Sequence, residues 1–220
     1  MISVRRFIAA VGALVCAGCG SPTPDYAVIR PDGTPVVESP VAAEDSASTS
    51  TSPTPIAEYL EGVGVTGEQV PLDELTDLVV TLPKPKGWTT YNNPNFSPGT
   101  EAIAKDGTYP TAMVMVFRLD GSFDVAQALE HADDSAEMSE NFIKLNYSNA
   151  DFKGFPSSMI EGSYDLADLR LHSYNRVVIP VTPEFDRYLV QFTVTTLANQ
   201  AEAQAPEVEE IIRGFSVSVK

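Results

Sequence analysis

The sequence predicts an α+β fold: a mostly antiparallel sheet of about six strands covered by two main helices. Three observations carry this. Residues 157–166, 169–179 and 188–195 alternate apolar and polar side chains with the period of two that a strand requires. Residues 111–119 are apolar on both faces (Met113, Met115 and Phe117 against Val114 and Val116), as a central strand covered on both sides must be. Segments 124–143 and 206–213 repeat their apolar residues every three or four positions, the period of a helix.

Before this region the chain reads as an export signal and a tether. Arg5 and Arg6 precede an apolar run from Phe7 to Val15, too short to span a bilayer, which takes about 20 residues. Cys16-Ala17-Gly18-Cys19 follows, and small residues before a cysteine mark a lipoprotein signal. Ala17 and Gly18 suit the processing peptidase, although Cys16 stands where Leu, Val or Ile is usual. Cleavage before Cys19 makes residues 1–18 the signal peptide and Cys19 the lipid anchor, its thiol carrying diacylglycerol. Cys16 leaves with the signal, so no thiol remains to form a disulfide. Residues 19–55 read as a tether. Seven prolines and the Ser/Thr run from Ser46 to Thr54 leave too little apolar area to offset chain entropy. As a flexible coil this tether spans on the order of 30 Å, and about 100 Å drawn out.

A single globular domain is expected over residues 56–220. Ile56, Tyr59 and Leu60 make a short helical face, and Leu75 to Leu82 reads as a strand closed by a Pro-rich turn before Trp88. Ala102 to Lys105 is a short strand. In the main helix, Asp124 with Gln127 is a capping pattern; Val125, Leu129, Ala132, Ala136, Ser139 and Ile143 form its core face, opposite an acidic one. Ile160 and Tyr164 share one side of the next strand. Leu169, Leu171, Val177 and Ile179 point inward on the strand after it. Tyr188, Val190, Phe192 and Val194 point to the core, and Gln191, Thr193 and Thr195 to solvent. The last helix has Pro206 at its first position, Arg213 in its last turn and Gly214 past its end, before a final strand through Phe215, Val217 and Val219.

Several motifs, in this order and spacing, carry a resemblance. They are Ile56-Ala57-Glu58-Tyr59-Leu60 with Gly64-Val65, Leu82-Pro83-Lys84-Pro85-Lys86-Gly87-Trp88, and Gly154-Phe155-Pro156 leading to Ile160-Glu161-Gly162-Ser163-Tyr164-Asp165. From Ile56 to Lys220 the chain resembles the LpqN-type lipoproteins of mycobacteria. The resemblance implies a PsbP-like α/β sandwich and a cell-envelope lipoprotein linked to glycolipid or mycolate handling or to protein partners. It implies no catalytic residue.

Composition narrows the chemistry. The net charge is −16, and loss of Arg5 and Arg6 with the signal takes it near −18. So acidic a chain does not hold phosphate backbones, which excludes nucleic acid as a partner. Its contact with the membrane is then through N-terminal acyl chains, two or three of which anchor stably. Gly62-Val63-Gly64-Val65-Thr66-Gly67 matches GxGxxG but follows a helix and opens none, so it reads as a helix end and turn, and no cofactor is expected. The histidines are His131 and His172; there is no HExxH or GxSxG, and no metal or catalytic residue is assigned. His131 reads as part of a solvated acidic helix face.

One surface stands out. Arg170, His172, Tyr174 and Arg176 occupy the outward face of one strand, two cations beside an aromatic ring, suited to an anionic group or a sugar ring. The competing reading is a solvent face whose arginines pair with local acids. A second candidate place lies between the main helix and Met113, Met115 and Phe117, where small alanines leave room for an acyl chain. The leading functional reading is a lipid-anchored, non-catalytic binding or adaptor module for a lipid, glycolipid or protein partner. It sits on the outer face of the plasma membrane, surface-exposed or shed. The alternatives are a surface-displayed interaction protein acting on a host and an envelope acyl or glycosyl enzyme. Replacing the anchor, Cys19→Ala, is expected to move the chain from the membrane fraction to the soluble one; retention in the membrane would overturn acylation at this residue.

Overall fold

The computed structural model describes residues 52–220; the expected signal peptide, the expected anchor Cys19 and the expected tether up to residue 51 lie outside the described residues. Ten strands and four α-helices follow one another: α1 (Ile56–Gly62), β1 (Thr66–Gln69), β2 (Leu78–Thr81), β3 (Trp88–Thr90), β4 (Glu101–Lys105), β5 (Thr111–Asp120), α2 (Val125–Glu130), α3 (Asp134–Glu137), β6 (Ile143–Ser148), β7 (Ser157–Leu166), β8 (Leu169–Val178), β9 (Arg187–Leu197), α4 (Ala201–Gly214) and β10 (Ser216–Val219). The main sheet runs β3-β4-β5-β9-β8-β7-β6, with β1 beside the end of β5, and β2 pairs with β10 as a separate ribbon. Every pairing is antiparallel. The expected α+β class with a mostly antiparallel sheet is borne out.

Both sheet faces are covered, but unequally. On the first face, Val114, Val116, Val190, Phe192 and Val194 pack against Leu78 and Val80 of the ribbon and Ile211 and Phe215 of α4. Phe215 stacks on Phe192 with centroids 4.1 Å apart. Trp88 Nε1 and Lys105 Nζ both donate to the Glu207 carboxylate, at 3.2 and 2.6 Å, tying the β3–β4 edge to α4. Gly214 is required where the end of α4 meets Pro83, since a Cβ there would lie 2.9 Å from the proline ring. On the second face α1 and α2 cover one end only, with Ile56, Leu60 and Ala128 over Leu119, Val177, Ile179 and Leu189.

The expected main helix is broken. Asp124 caps α2, its Oδ1 accepting from Gln127 N at 3.0 Å as predicted, but α2 stops at Glu130 and α3 holds four residues. The cause lies at the break. Asp133 turns toward the sheet and accepts from Ser158 Oγ at 2.9 Å, and Asp134 accepts from the Thr54 amide at 2.8 Å. Ile143, expected on the helix, is 56 % exposed and begins β6. His131 stacks on Tyr59 at 4.4 Å and meets Asp134 at 3.0 Å. Pro206 falls inside α4 rather than at its first position. The helix starts five residues earlier, and the carbonyl that Pro206 leaves unpaired belongs to Glu202, which is exposed. The GxGxxG match ends α1: Gly64 takes φ +84° and the Val65 amide returns to Leu60 O at 2.8 Å.

Tyr188 is fully buried; its hydroxyl donates to Asp77 at 2.7 Å and accepts from Arg118 Nη2 at 2.8 Å, joining the approach to β2 to β5 and β9. Burial alone pushes the Asp77 carboxyl up. The Tyr188 hydroxyl, the residue's own amide and the Arg118 charge outweigh it, and the carboxyl lies below its ordinary 3.8. A carboxyl lowered by folding contributes stability above its ordinary value and loses it as pH falls through the folded value. Tyr188→Phe is therefore expected to cost about 1–3 kcal/mol at pH 7, or roughly 5 °C in Tm. The deficit should shrink below pH 3.8. An unchanged deficit from pH 7 to pH 2 by thermal melts would refute the coupling.

Candidate binding surface

The four residues singled out on β8 do share one face, as their spacing requires, but it is the first, covered face. Tyr174 is only 9 % exposed and packs edge-on against Phe192, centroids 5.9 Å apart. Arg176 Nε donates to the Tyr174 hydroxyl at 2.7 Å, and its guanidinium lies 4.6 Å above the Phe152 ring. Arg170 is engaged by Asp165 Oδ1 at 2.9 Å, Ser163 Oγ at 2.7 Å and the Asn141 carbonyl at 2.9 Å. His172 faces Glu161 at 3.1 Å. The geometry is that of cations paired with local acids and rings. Alternation alone read this face as solvent because Phe152 and Phe192, which cover Tyr174 and Arg176, lie on other segments of the chain.

The second face, beyond the reach of α1 and α2, has a different character. The register places Met113, Thr193, Asn175, Ile160 and Tyr147 in one row across five strands. Thr111, Thr195, Ser173, Gly162 and Lys144 form the next row. Its middle is polar and internally bonded: Thr193 Oγ1 donates to Asn175 Oδ1 at 3.0 Å, and Asn175 Nδ2 donates to Ser173 Oγ at 3.2 Å. Met113, Met115, Asn175, Gln191 and Thr193 are all half-buried. Apolar groups flank the polar strip, Met113 and Met115 on β5 and Phe142 on the other side, whose ring lies on Gly162 where any Cβ would collide with it. Burial pushes the phenols of Tyr109 and Tyr164 up; Tyr109 adds to the shift at Tyr164, so the two lie near one another.

The second candidate place is thereby changed. α2 packs on Leu119 and Leu189, while Met113 and Met115 belong to neither core cluster. At the helix break Asp133 borders this face. Burial raises its carboxyl, against the opposing Ser158 hydrogen bond and the Lys144 charge. Among the described residues no three His, Cys, Asp or Glu side chains gather as a metal site.

Comparison with known proteins decides the family. The family model described as "Probable lipoprotein LpqN" matches residues 52–218. The chain belongs to the LpqN lipoprotein family. It is 48% identical over 224 residues to a putative lipoprotein LpqT of Mycobacterium tuberculosis (strain ATCC 25618 / H37Rv), covering 99% of this chain and 96% of that one. It is 38% identical over 144 residues to a proline-rich 28 kDa antigen of the same strain, covering 64% of this chain and 46% of the antigen. Among solved structures, that of LpqN, described as involved in cell envelope biogenesis of Mycobacterium tuberculosis, aligns with a TM-score of 0.65 at 18% identity. That alignment covers 75% of this chain and 98% of LpqN. Cyanobacterial PsbP from Synechocystis aligns at 13% identity with a TM-score of 0.43, over 66% of this chain and 94% of PsbP. None of these names denotes an enzyme.

Asp133 gives the surface a pH signature. A carboxyl raised by folding costs stability above its folded value, and the cost disappears below its ordinary 3.8. Asp133→Asn keeps an acceptor for Ser158 without the charge. The variant is expected to melt above the parent at pH 7 and level with it near pH 3; a variant that melts lower at pH 7 would show that the charge stabilises the break.

Proposed function

We propose that this LpqN-family chain is a lipid-anchored, non-catalytic binding module of the cell envelope whose ligand has a polyhydroxyl head and an apolar chain. The observation that carries the reading is the half-buried strip on the second sheet face. Thr193, Asn175 and Gln191 offer hydroxyl and amide groups side by side, with buried Ser173 accepting from Asn175 beneath them, and Met113 and Met115 stand next to them on β5. Sugars are held by such fixed donors and acceptors, and methionine is the side chain that adapts best to an irregular apolar partner. The lipoprotein family supports a place outside the cell, and a Cys19 anchor with a tether through residue 55 would hold residues 56–220 as one globular unit clear of the headgroups. LpqN, described as involved in cell envelope biogenesis, supports the same compartment.

Arg170, His172, Tyr174 and Arg176 take a supporting part here. With Asp165, Glu161 and Phe152 as their partners, they fix β8 between β7 and β9 and so hold Asn175 and Ser173, which face the opposite way, in line.

Native mass spectrometry of the chain recovered from its own envelope tests the proposal. A non-covalent adduct of glycolipid mass is expected, separable on denaturation from the covalent anchor mass at Cys19. Asn175→Leu with Thr193→Val is expected to reduce that adduct at least tenfold without lowering Tm by more than about 5 °C. A chain that emerges bare of any adduct overturns the proposal.

A further inference from the structure

Phe185 stands in the hairpin between β8 and β9, 84 % exposed and in neither apolar cluster. A single exposed apolar side chain is ordinary on a protein surface. Its backbone is not ordinary: φ is +69°, a left-handed conformation that glycine, asparagine and aspartate tolerate and that strains an aromatic residue. The loop enforces it through buried Thr182. The Thr182 amide donates to the Asp186 carbonyl and the Phe185 amide to the Thr182 carbonyl, both at 2.9 Å. The Asp186 amide donates to the Thr182 hydroxyl at 3.2 Å. Strain of this kind persists where the surroundings over-determine it, and it gathers at sites that hold a ligand.

Beside the ring lies a cleft of about 350 Å³, with the hairpin on one side and the residues that close β5 on the other. That is the size of a site for one small ligand. Its hydrogen-bonding groups are of both kinds. Asp120 and Asp186 accept, the Ser122 hydroxyl does both, and Arg187 donates, its Nη1 already held by the Phe123 carbonyl at 3.1 Å. Charges of both signs stand here, Asp120, Glu184 and Asp186 against Arg187 and Arg118, on which the Asp186 charge acts, so the cleft selects no simple ion. The exposed acids on either side of Phe185 keep its ring out of anionic headgroups. For a hydrocarbon chain the lining offers only buried Leu119 and the ring itself. A neutral sugar ring uses donors and acceptors together, and its C–H face lies well on a bare aromatic ring.

We propose that the β8–β9 hairpin and the end of β5 form a second binding site, for a neutral hexose ring of a glycan without an acyl chain, with Phe185 as the stacking platform. The site is separate from the second-face strip and stands or falls by its own variants.

Saturation-transfer NMR on the full chain, in a detergent without a sugar head, tests it. With the protein's aromatic protons irradiated, transfer is expected to at least one of methyl α-D-glucopyranoside, methyl α-D-mannopyranoside and methyl β-D-galactopyranoside. None is expected to cyclohexanol, a ring of similar size with one hydroxyl. Phe185→Leu and Phe185→Gly should each lower the transfer roughly fivefold or more, and Phe185→Tyr, which keeps a ring in place, should restore it. Phe185→Gly should also melt at or above the parent, because glycine takes φ +69° without strain. No transfer to any of the three sugars, equal transfer to cyclohexanol, or transfer that survives Phe185→Gly would each overturn the proposal. So would a Phe185→Gly chain that melts more than about 5 °C lower, since the ring would then belong to the fold. Transfer that disappears in Asn175→Leu with Thr193→Val instead would assign the sugar to the strip and overturn it too.

Discussion

The stack of Phe215 on Phe192, 4.1 Å apart, sets which side of the sheet becomes the main core. Phe215 closes α4 and opens onto β10, so fixing its ring fixes the helix above β9 and the ribbon beside it. Phe152 stacks on the other side of Phe215 at 5.5 Å, and Arg176 caps Phe152. One aromatic column thus ties the loop before β7, the last helix and the two innermost strands. Each buried ring contributes more than any surface ion pair, whose typical worth is below about 1 kcal/mol. The Glu207 and Tyr188 bridges act on this arrangement by setting orientation at its margins.

Because the first face absorbs the large rings, the second is left to smaller devices. α1 and α2 are short and reach only Leu119, Val177, Ile179 and Leu189. A continuous helix from Asp124 to Ile143 would have been long enough to extend that cover. The break at Asp133 prevents it, and the chain crosses to the β7 side, where Phe142 fills the space above Gly162. The open strip, the helix break and the raised Asp133 carboxyl are three aspects of one local choice.

Much of the fold was legible in the sequence, and the failures have a common cause. The strands through Met113, Ile160 and Phe192 could be read because their neighbours on both sides obey the same period, and the inward set on β9 is the observed one. The last helix was legible from Arg213 and Gly214, although Pro206 drew its start too late. What could not be read were features decided by partners far away. Arg170 to Arg176 alternate like a solvent face, and only Phe192 and Phe152 reveal that Tyr174 and Arg176 lie over a core, while Arg170 and His172 pair with acids on β7. Ile143 fits a helix stripe by spacing, and only Ser158 reaching Asp133 shows why the helix ends first. The strip of Asn175, Thr193 and Ser173 is dispersed over two strands, so no local motif announces it. Gly162 was the one available signal, a glycine within an otherwise strong strand pattern.

Residues 52–220 contain no cysteine, so packing must supply what a disulfide supplies in smaller secreted domains. A chain of this length buries about 70 % of the surface its unfolded form exposes, which suffices without a staple. That sufficiency bears on the second face. Polar residues in the centre of a sheet, here Thr193, Asn175, Ser173 and Gln191, forgo the apolar contacts their neighbours make, and a marginal core does not sustain such a loss. Here the first face, with fully buried Tyr188, Phe192 and Phe215, carries the stability, and the second is released from that duty. Two faces with separate tasks, one for holding the fold and one for contact, follow from where the aromatic residues fall in the chain.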